Sequence, residues 1–222
     1  MLNSKVIDQW QEKVRHNNDK SALVLSVCGP SGAGKTTVAK ALAKIYPAFI
    51  ETTAGNPYLI DLLKGKSDFK AFKNQNWFLS RVGRHISRAK LDSPLILDQD
   101  PSAIVMVYSR VFMEDGKLTE KEFDFFLKKL LIIEKNLQDW RAPRTVLFLD
   151  APADVLRQRN LKKWGASNTP PIIWFERLRA HFVKLFTCFP SAISASTNNL
   201  SPEEVINRAK SLIERRCERK LL

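Results

Sequence analysis

No run of eighteen or more apolar residues occurs in this chain, so no membrane-spanning helix is expected. Cysteine is scarce. Cys28, Cys188 and Cys217 are odd in number and far apart, and they form neither a disulfide framework nor a C-x-x-C metal pair. Cys28 closes an apolar run and reads as a small buried hydrophobe. The first twenty residues, MLNSKVIDQWQEKVRHNNDK, lack the apolar core of a secretory signal. A reducing, cytoplasmic location is therefore expected. Histidine is equally sparse: His16, His85 and His181 stand apart without metal-ligand spacing, and packing or surface roles are expected of them. Internal repeats and low-complexity linkers are missing. So are the aromatic-basic RNA-binding signature and the zinc finger, which makes nucleic acid an unexpected partner.

What the chain has is positive charge and a sizeable core. Its 222 residues carry a net charge of +13, and 44% are hydrophobic, which suits one folded domain over residues 1–222. Part of the charge is clustered, in RQRNLKK (157–163) and RAKSLIERRCERK (208–220). Such clusters suit phosphorylated small molecules, acidic lipid or nucleic acid, and the last also reads as a solvated helix face.

Short apolar runs alternate with longer helical stretches. ALVLSVC (22–28), AFIE (48–51), PLILD (94–98), TVLFLD (145–150) and SAISAS (191–196) read as five buried strands. Helices are expected over 35–45, 72–89, 102–114, 119–140 and from Ser201 onward. Thr119 with Glu122, and Ser201 with Glu204, have capping-box spacing. Continuous apolar strands between helices predict a parallel sheet covered on both faces, with ligands gathered at the carboxyl ends of the strands.

Directly after the first strand stands GPSGAGKTT. It fits G-x-x-x-x-G-K-[ST] between a strand and a helix. Glycines let the backbone close around oxygen atoms, and the N–H groups of Gly29, Ser31, Gly32, Ala33, Gly34, Lys35, Thr36 and Thr37 are candidates for an anion cradle at a helix N-terminus. Lys35 is expected at the β- and γ-phosphates of ATP, and the Thr36 hydroxyl on Mg²⁺. The fold expected is therefore the three-layer α/β P-loop NTPase fold with a five-stranded parallel sheet. Three strands end in carboxylates: Glu51, Asp98 and Asp150. Asp98, after four apolar residues, is the candidate magnesium carboxylate, and Glu51 the candidate base for an attacking hydroxyl. RQRNLKKWG reads as a helix ending in a glycine. Its cations are placed to close over phosphates as a lid near 157–170.

From Leu23 to Glu214 the sequence resembles the deoxynucleoside kinase family. Glu51 followed by NPYL (56–59) resembles the stretch carrying the family's catalytic glutamate, although Thr52 stands where the family has proline. Gln75 in NQNWFL resembles the family's base-reading glutamine. DQDPSAIVMVYSRVF resembles its E-R-S segment and the following helix, with Asp98 on the acidic residue. LDAPADVLRQRNLKK resembles its lid entry, with Arg159 on the lid arginine and Lys163 near a second cation. WFERL (174–178) resembles the segment after the lid. The resemblance implies an ATP- and Mg²⁺-dependent kinase of a deoxynucleoside 5′-hydroxyl. It places Glu51, Lys35 and Arg159 in catalysis, Thr36 and Asp98 on the metal, and Gln75, Tyr58, Trp77 and Glu176 at the acceptor. It also implies pairing of two copies through helices beside the sheet, for which 72–89 and 102–140 are the candidates. Two departures stand out: Gln99 takes the place of the family's arginine, and Ile104 that of a base-recognising aspartate. They keep open a nucleoside monophosphate kinase, with Arg81 and Arg84 as substitute cations, or a kinase of another hydroxyl-bearing metabolite.

Overall fold

Val24–Cys28 are buried without a break, a pattern that requires a strand covered on both faces. In the computed structural model, which describes residues 8, 24–51, 53, 55–63, 69–89, 95–139, 144–190 and 192–218, this strand is β1. With it run β2 (Ala48–Phe49), β3 (Leu95–Asp98), β4 (Arg144–Asp150) and β5 (Ile193–Ser196). All pairings are parallel and the order is β2-β3-β1-β4-β5. The five-stranded α/β sheet with helices on both faces is as expected.

Side-chain alternation divides the core in two. Val24, Cys28, Leu95, Leu97, Val146 and Phe148 face one layer. That layer holds α3 (Phe69–Arg88), α6 (Glu120–Asp139) and α8 (Ile172–Phe186), numbered after α1 (Lys35–Leu42) and α2 (Leu59–Leu63). Leu25, Val27, Ile96, Leu147 and Leu149 face the other, against α1, α7 (Ala153–Trp164) and α9 (Pro202–Glu218). Both capping boxes form. The Thr119 N–H donates to Glu122 Oε2 at 2.8 Å and the Glu122 N–H returns to Thr119 Oγ1 at 3.2 Å; Ser201 and Glu204 do the same at 2.7 and 3.2 Å.

Three expectations change. Strand AFIE is shorter, because β2 pairs only Ala48 with Ile96 and Phe49 with Leu97 before β3 reaches its end. Within SAISAS, β5 is an edge strand in which only Ala195 is buried. The helix over 102–114 is composite: α4 (Pro101–Ala103), a π-helical segment Ile104–Ser109 and α5 (Arg110–Glu114). Residues 22–23, 94, 140 and 191 of the expected elements, together with His16, Thr52 and the side chain of Cys217, lie outside the described parts.

Between β3 and α4 the chain turns sharply. Gln99 has φ +82, a left-handed conformation rare outside glycine, and its N–H donates to Val27 O at 3.0 Å. Asp100 then caps α4, accepting from the Ser102 N–H at 2.8 Å. It is fully buried, and Arg144 Nε donates to it at 2.7 Å while Nη2 closes the fork. Arg144 shares the parity of Val146 and Phe148, so it points toward α6, where Nη1 meets both oxygens of Glu134 at 2.6 Å. A buried Asp100–Arg144–Glu134 triad thus clamps the end of β3, the start of β4 and α6. The arginine holds Asp100 below the usual carboxylate range despite burial. Arg144→Met would strand two buried carboxylates. It should cost about 3–5 kcal/mol, read as a lowered urea midpoint; a loss below about 1 kcal/mol would show that the triad is no clamp.

Candidate active site

The carboxyl ends of β1 and β2 open onto a cleft of about 1090 Å³, whose walls do not include Asp98 at the end of β3. One side is the glycine loop. Lys35 is buried, and its Nζ donates to Gly29 O at 2.8 Å and Pro30 O at 3.0 Å. The loop backbone cannot carry side chains at two points. A Cβ on Gly29 would lie 2.1 Å from Leu149 O, and one on Gly32 would lie 2.7 Å from Asn160 Nδ2 and 2.9 Å from Leu156 O. Asn160 also holds the loop from behind, accepting from Ser31 Oγ at 2.7 Å. Ser31, Gly32, Ala33, Gly34, Lys35, Thr36 and Thr37 all line the cleft. Gly29 supplies the curl instead, with φ +149.

Three charged groups meet here. Glu51 lines the cleft and is partly buried. Burial pushes its carboxyl up to about 8; Asp98 adds to the rise, while Lys35 and Lys163 oppose it. Asp98 is fully buried, and neither of its oxygens has a hydrogen-bond partner among the described residues. Burial raises its pKa, with Lys35 and the nearby Thr36 hydroxyl pulling the other way. Burial lowers the Lys35 ammonium, and Glu51 and Asp98 counter it. A buried carboxylate beside the Thr36 hydroxyl is a donor set of hard oxygen ligands that fits Mg²⁺. Asp150, the third strand-end carboxylate, is already used: Arg179 donates to it at 2.9 and 2.6 Å.

The helix expected as a lid is α7, closed by Gly165 at φ +77, as the glycine in the sequence suggested. Arg159 lines the cleft but is engaged at its rim, donating to Gly32 O at 3.1 Å and to Thr197 Oγ1 and O at 2.9 Å. Lys163 also lines the cleft and its charge is felt by Lys35, Glu51 and Asp98.

Across from the loop, the cleft is walled by Leu59, Leu62, Phe78, Ile104, Phe112 and Trp174, with Tyr108 toward the carboxylates. Gln75 lies in this wall. Of the other acceptor candidates, Tyr58 packs under Lys73, whose Nζ lies 5.7 Å from its ring centroid. Trp77 packs against Phe78 and Arg81. Glu176 is exposed. These three do not line the cleft; from the same WFERL segment it is Trp174 and Arg177 that do. The reason is helical phase, since α8 turns positions 174 and 177 to one face and 176 away. Arg81 is held on Trp77, 4.6 Å from its ring, and Arg84 is exposed, so neither reaches the cleft as a substitute cation. Sequence reasoning passed over Tyr108. It is partly buried, and burial and then Glu51 raise its pKa, with the Gln99 side chain acting in the opposite sense. Parity along a regular helix could not have found it, because the π segment resets the helical phase. Cys28 is buried as expected of a hydrophobe, its thiol pushed up to about 12. Among the described residues no group of three metal-ligating His, Cys, Asp or Glu side chains occurs.

The deoxynucleoside kinase family profile matches residues 25–214. No curated protein sequence matches. Among solved structures, deoxyadenosine kinase from M. mycoides with bound dCTP is 16% identical with a TM-score of 0.69, and the same kinase with bound dATP is 18% identical with a TM-score of 0.66. Each comparison covers 86% of this chain and 98% of the other. At that identity the structural likeness speaks to the fold.

Gly32→Ala would force a left-handed alanine into Asn160 and the Leu156 carbonyl, displacing the support of the loop. Strain of about 1–3 kcal/mol should weaken nucleotide binding by roughly tenfold or more without unfolding the sheet. Titration of the variant with ATP beside its circular dichroism tests this; wild-type affinity would mean that the loop does not depend on the Asn160 contact.

Proposed function

The chain belongs to the deoxynucleoside kinase family, and we propose that Glu51 is the base that accepts the proton of the attacking hydroxyl. The protein is an ATP-dependent phosphotransferase acting on deoxynucleosides. The observation that carries the residue assignment is a carboxyl raised to about 8, partly buried in the same cleft as the glycine loop. A base near neutrality is suited to relaying a proton at physiological pH.

In the proposed reaction the deoxynucleoside 5′-oxygen forms its bond to the γ-phosphorus as the bond from that phosphorus to the bridging oxygen of ADP breaks. The hydroxyl proton passes to the Glu51 carboxylate. Lys35 leaves the carbonyls of Gly29 and Pro30 to neutralise the transferring group, and Lys163 supplies a second cation. Bound Mg²⁺ supplies charge neutralisation to the phosphate oxygens; Thr36 and Asp98 are the residues that would hold it. Arg159 steadies the loop and the Thr197 side of the nucleotide pocket. Gln75 faces the acceptor, while Tyr58, Trp77 and Glu176, outside the cleft walls, act at most by supporting them. The lid is the segment 157–170 of a single kinase domain, 1–222.

Partners and setting follow. No helix among the described residues is long and apolar enough to cross a membrane. A homodimer through α3 and α6 is proposed on the exposed Phe125 and Ile132 of α6. A cytoplasmic setting is proposed on the buried, unbridged thiol of Cys28.

Two tests address the assignment. Lys35→Ala removes a preorganised charge worth about 2.7–4 kcal/mol at the transition state. Turnover should fall by two to three orders of magnitude while the fold persists, and near-normal turnover would remove Lys35 from the chemistry. Glu51→Gln keeps size and removes the base, so nucleoside phosphorylation should slow by about 10²–10⁴-fold with ATP binding retained. The pH profile adds a signature. Glu51 works ionised and its pKa is raised, so wild-type rate should climb with pH. The limb should lie below about 8, because bound Mg²⁺ offsets the repulsion from Asp98. Glu51→Gln should lose that limb. Full activity in the variant, with a monophosphate as best acceptor, would instead make the protein a nucleoside monophosphate kinase.

A further inference from the structure

From 121 to 137 the exposed residues of α6 are Lys121, Phe125, Lys128, Ile132 and Lys135, in steps of four and three that align them in one stripe. Phe125 and Ile132 are 46% and 64% exposed. Lysine thus alternates with a large apolar side chain along the stripe. α3 lies beside α6 and runs the same way. Phe72 meets Phe126, with ring centroids 5.1 Å apart, and further along both helices Ser80 meets Lys129. α3 contains no acidic residue, and Arg84 and Arg88 stand on its exposed side.

Lys129 sits in the seam between the two helices. Its ammonium donates to Asn76 Oδ1 at 2.7 Å and to Ser80 Oγ at 2.6 Å, which leaves one of its three N–H groups for a ligand. Both partners are neutral. Burial lowers the Lys129 ammonium, and Arg84 lowers it further. Neither cation forms an ion pair among the described residues. Elsewhere in the molecule fixed cations do have carboxylates: Arg144 meets Asp100 and Glu134, Arg177 meets Asp115, and Arg179 meets Asp150. Lys35, the cation assigned to the phosphates, is instead held by two carbonyl oxygens. Lys129 repeats that neutral hold, and Arg84, one turn beyond Ser80 on α3, adds a second cation.

The large apolar side chains of this face call for cover, and the cations among them resist it. A closed pair of copies sets the same patch on both sides. Uncompensated cations then meet cations of the other copy, and like charges brought together at an interface are costly. Resting on the reading that two copies pair through α3 and α6, we propose that the paired faces enclose a free inorganic oxyanion, held by Lys129 and Arg84 of each copy, and that without it the copies stay apart. The remaining N–H of Lys129 and the planar fork of Arg84 are donors suited to a tetrahedral oxyanion. A phosphate monoester carries the same chemistry, but its organic tail has no room between closed faces.

Sedimentation velocity of the full-length protein tests this, in chloride and in inorganic phosphate at matched ionic strength. Phosphate should tighten the dimer by at least about tenfold, the scale on which like-charge contacts act. Glycerol phosphate should have no such effect. Lys129→Met combined with Arg84→Gln should sediment alike in both salts. Lys35→Ala, which weakens phosphate binding at the glycine loop, should keep the response, and Ile132→Asp should abolish pairing. A wild-type dimer equally tight in chloride overturns the bound anion and leaves the homodimer reading in place. A phosphate response that survives the double variant, that is lost in Lys35→Ala, or that glycerol phosphate reproduces also overturns the enclosed site. Monomers in every buffer, the double variant included, overturn the homodimer reading itself, and the proposal with it.

Discussion

One ammonium and two carboxylates, all withdrawn from water at the ends of three neighbouring strands, set the terms for the rest of the structure. Lys35, Glu51 and Asp98 are each disfavoured in their charged forms by burial and each favoured by the opposite charge beside it. The cluster is balanced only loosely. Lys35 is bonded to two loop carbonyls, and the oxygens of Asp98 have no partner among the described residues. Such an arrangement is poor as a structural ion pair and good as a receptor. On the proposed assignment, an incoming triphosphate with a divalent cation would supply the negative charge that Lys35 lacks and the positive charge that Asp98 lacks. Binding then replaces three costly desolvations by matched contacts.

Holding those groups at the mouth of the sheet takes rigid support, and strand parity provides it. Residues of one parity in β3 and β4 face the glycine loop, and those of the other face α6. Asp98 falls on the first side by parity; Asp100, of the same parity, is carried to the second by the left-handed turn at Gln99. The turn that aims Asp98 is therefore held from behind by Arg144 and Glu134, groups that never enter the cleft. Backbone strain of this kind persists only where its surroundings over-determine it. Here the buried triad and the Gln99 bond to Val27 do so.

Much of this was legible in the sequence, and the limits are physical. The glycine loop, the sheet and both capping boxes depend on local spacing, which a sequence displays directly. Glu51 and Asp98 could be picked because strand ends in a parallel sheet converge. Tyr58, Trp77 and Glu176 were chosen by resemblance; helical phase sets Trp77 and Glu176 off the cleft, and Tyr58 lies in the turn before α2. Trp174 and Arg177 lie on the right face of the same segment. The triad was out of reach, since Arg144 sits 44 residues from Asp100 and looks like an ordinary basic residue before a strand. The π segment was hidden too, because nothing in IVMVYS distinguishes five-residue from four-residue hydrogen bonding.

The substitution of glutamine at position 99 gains meaning in this setting. The family resemblance leads one to expect an arginine there, steadying both phosphates and the base carboxylate. A guanidinium beside Glu51 would hold its carboxyl low, as Arg144 does for Asp100. With neutral Gln99 there, the burial of Glu51 is opposed by Lys35 and then Lys163, and its carboxyl rises to about 8. On the proposed mechanism this changes how the base works. A carboxylate pinned by arginine is always ionised but weakly basic. One left without arginine is a stronger base, available only as pH rises or as the magnesium nucleotide arrives to offset Asp98. Loss of the arginine thus ties ionisation of the base to occupation of the nucleotide site. The same absence leaves the acceptor chamber without a cation of its own on that side, which favours a neutral nucleoside over a phosphorylated one.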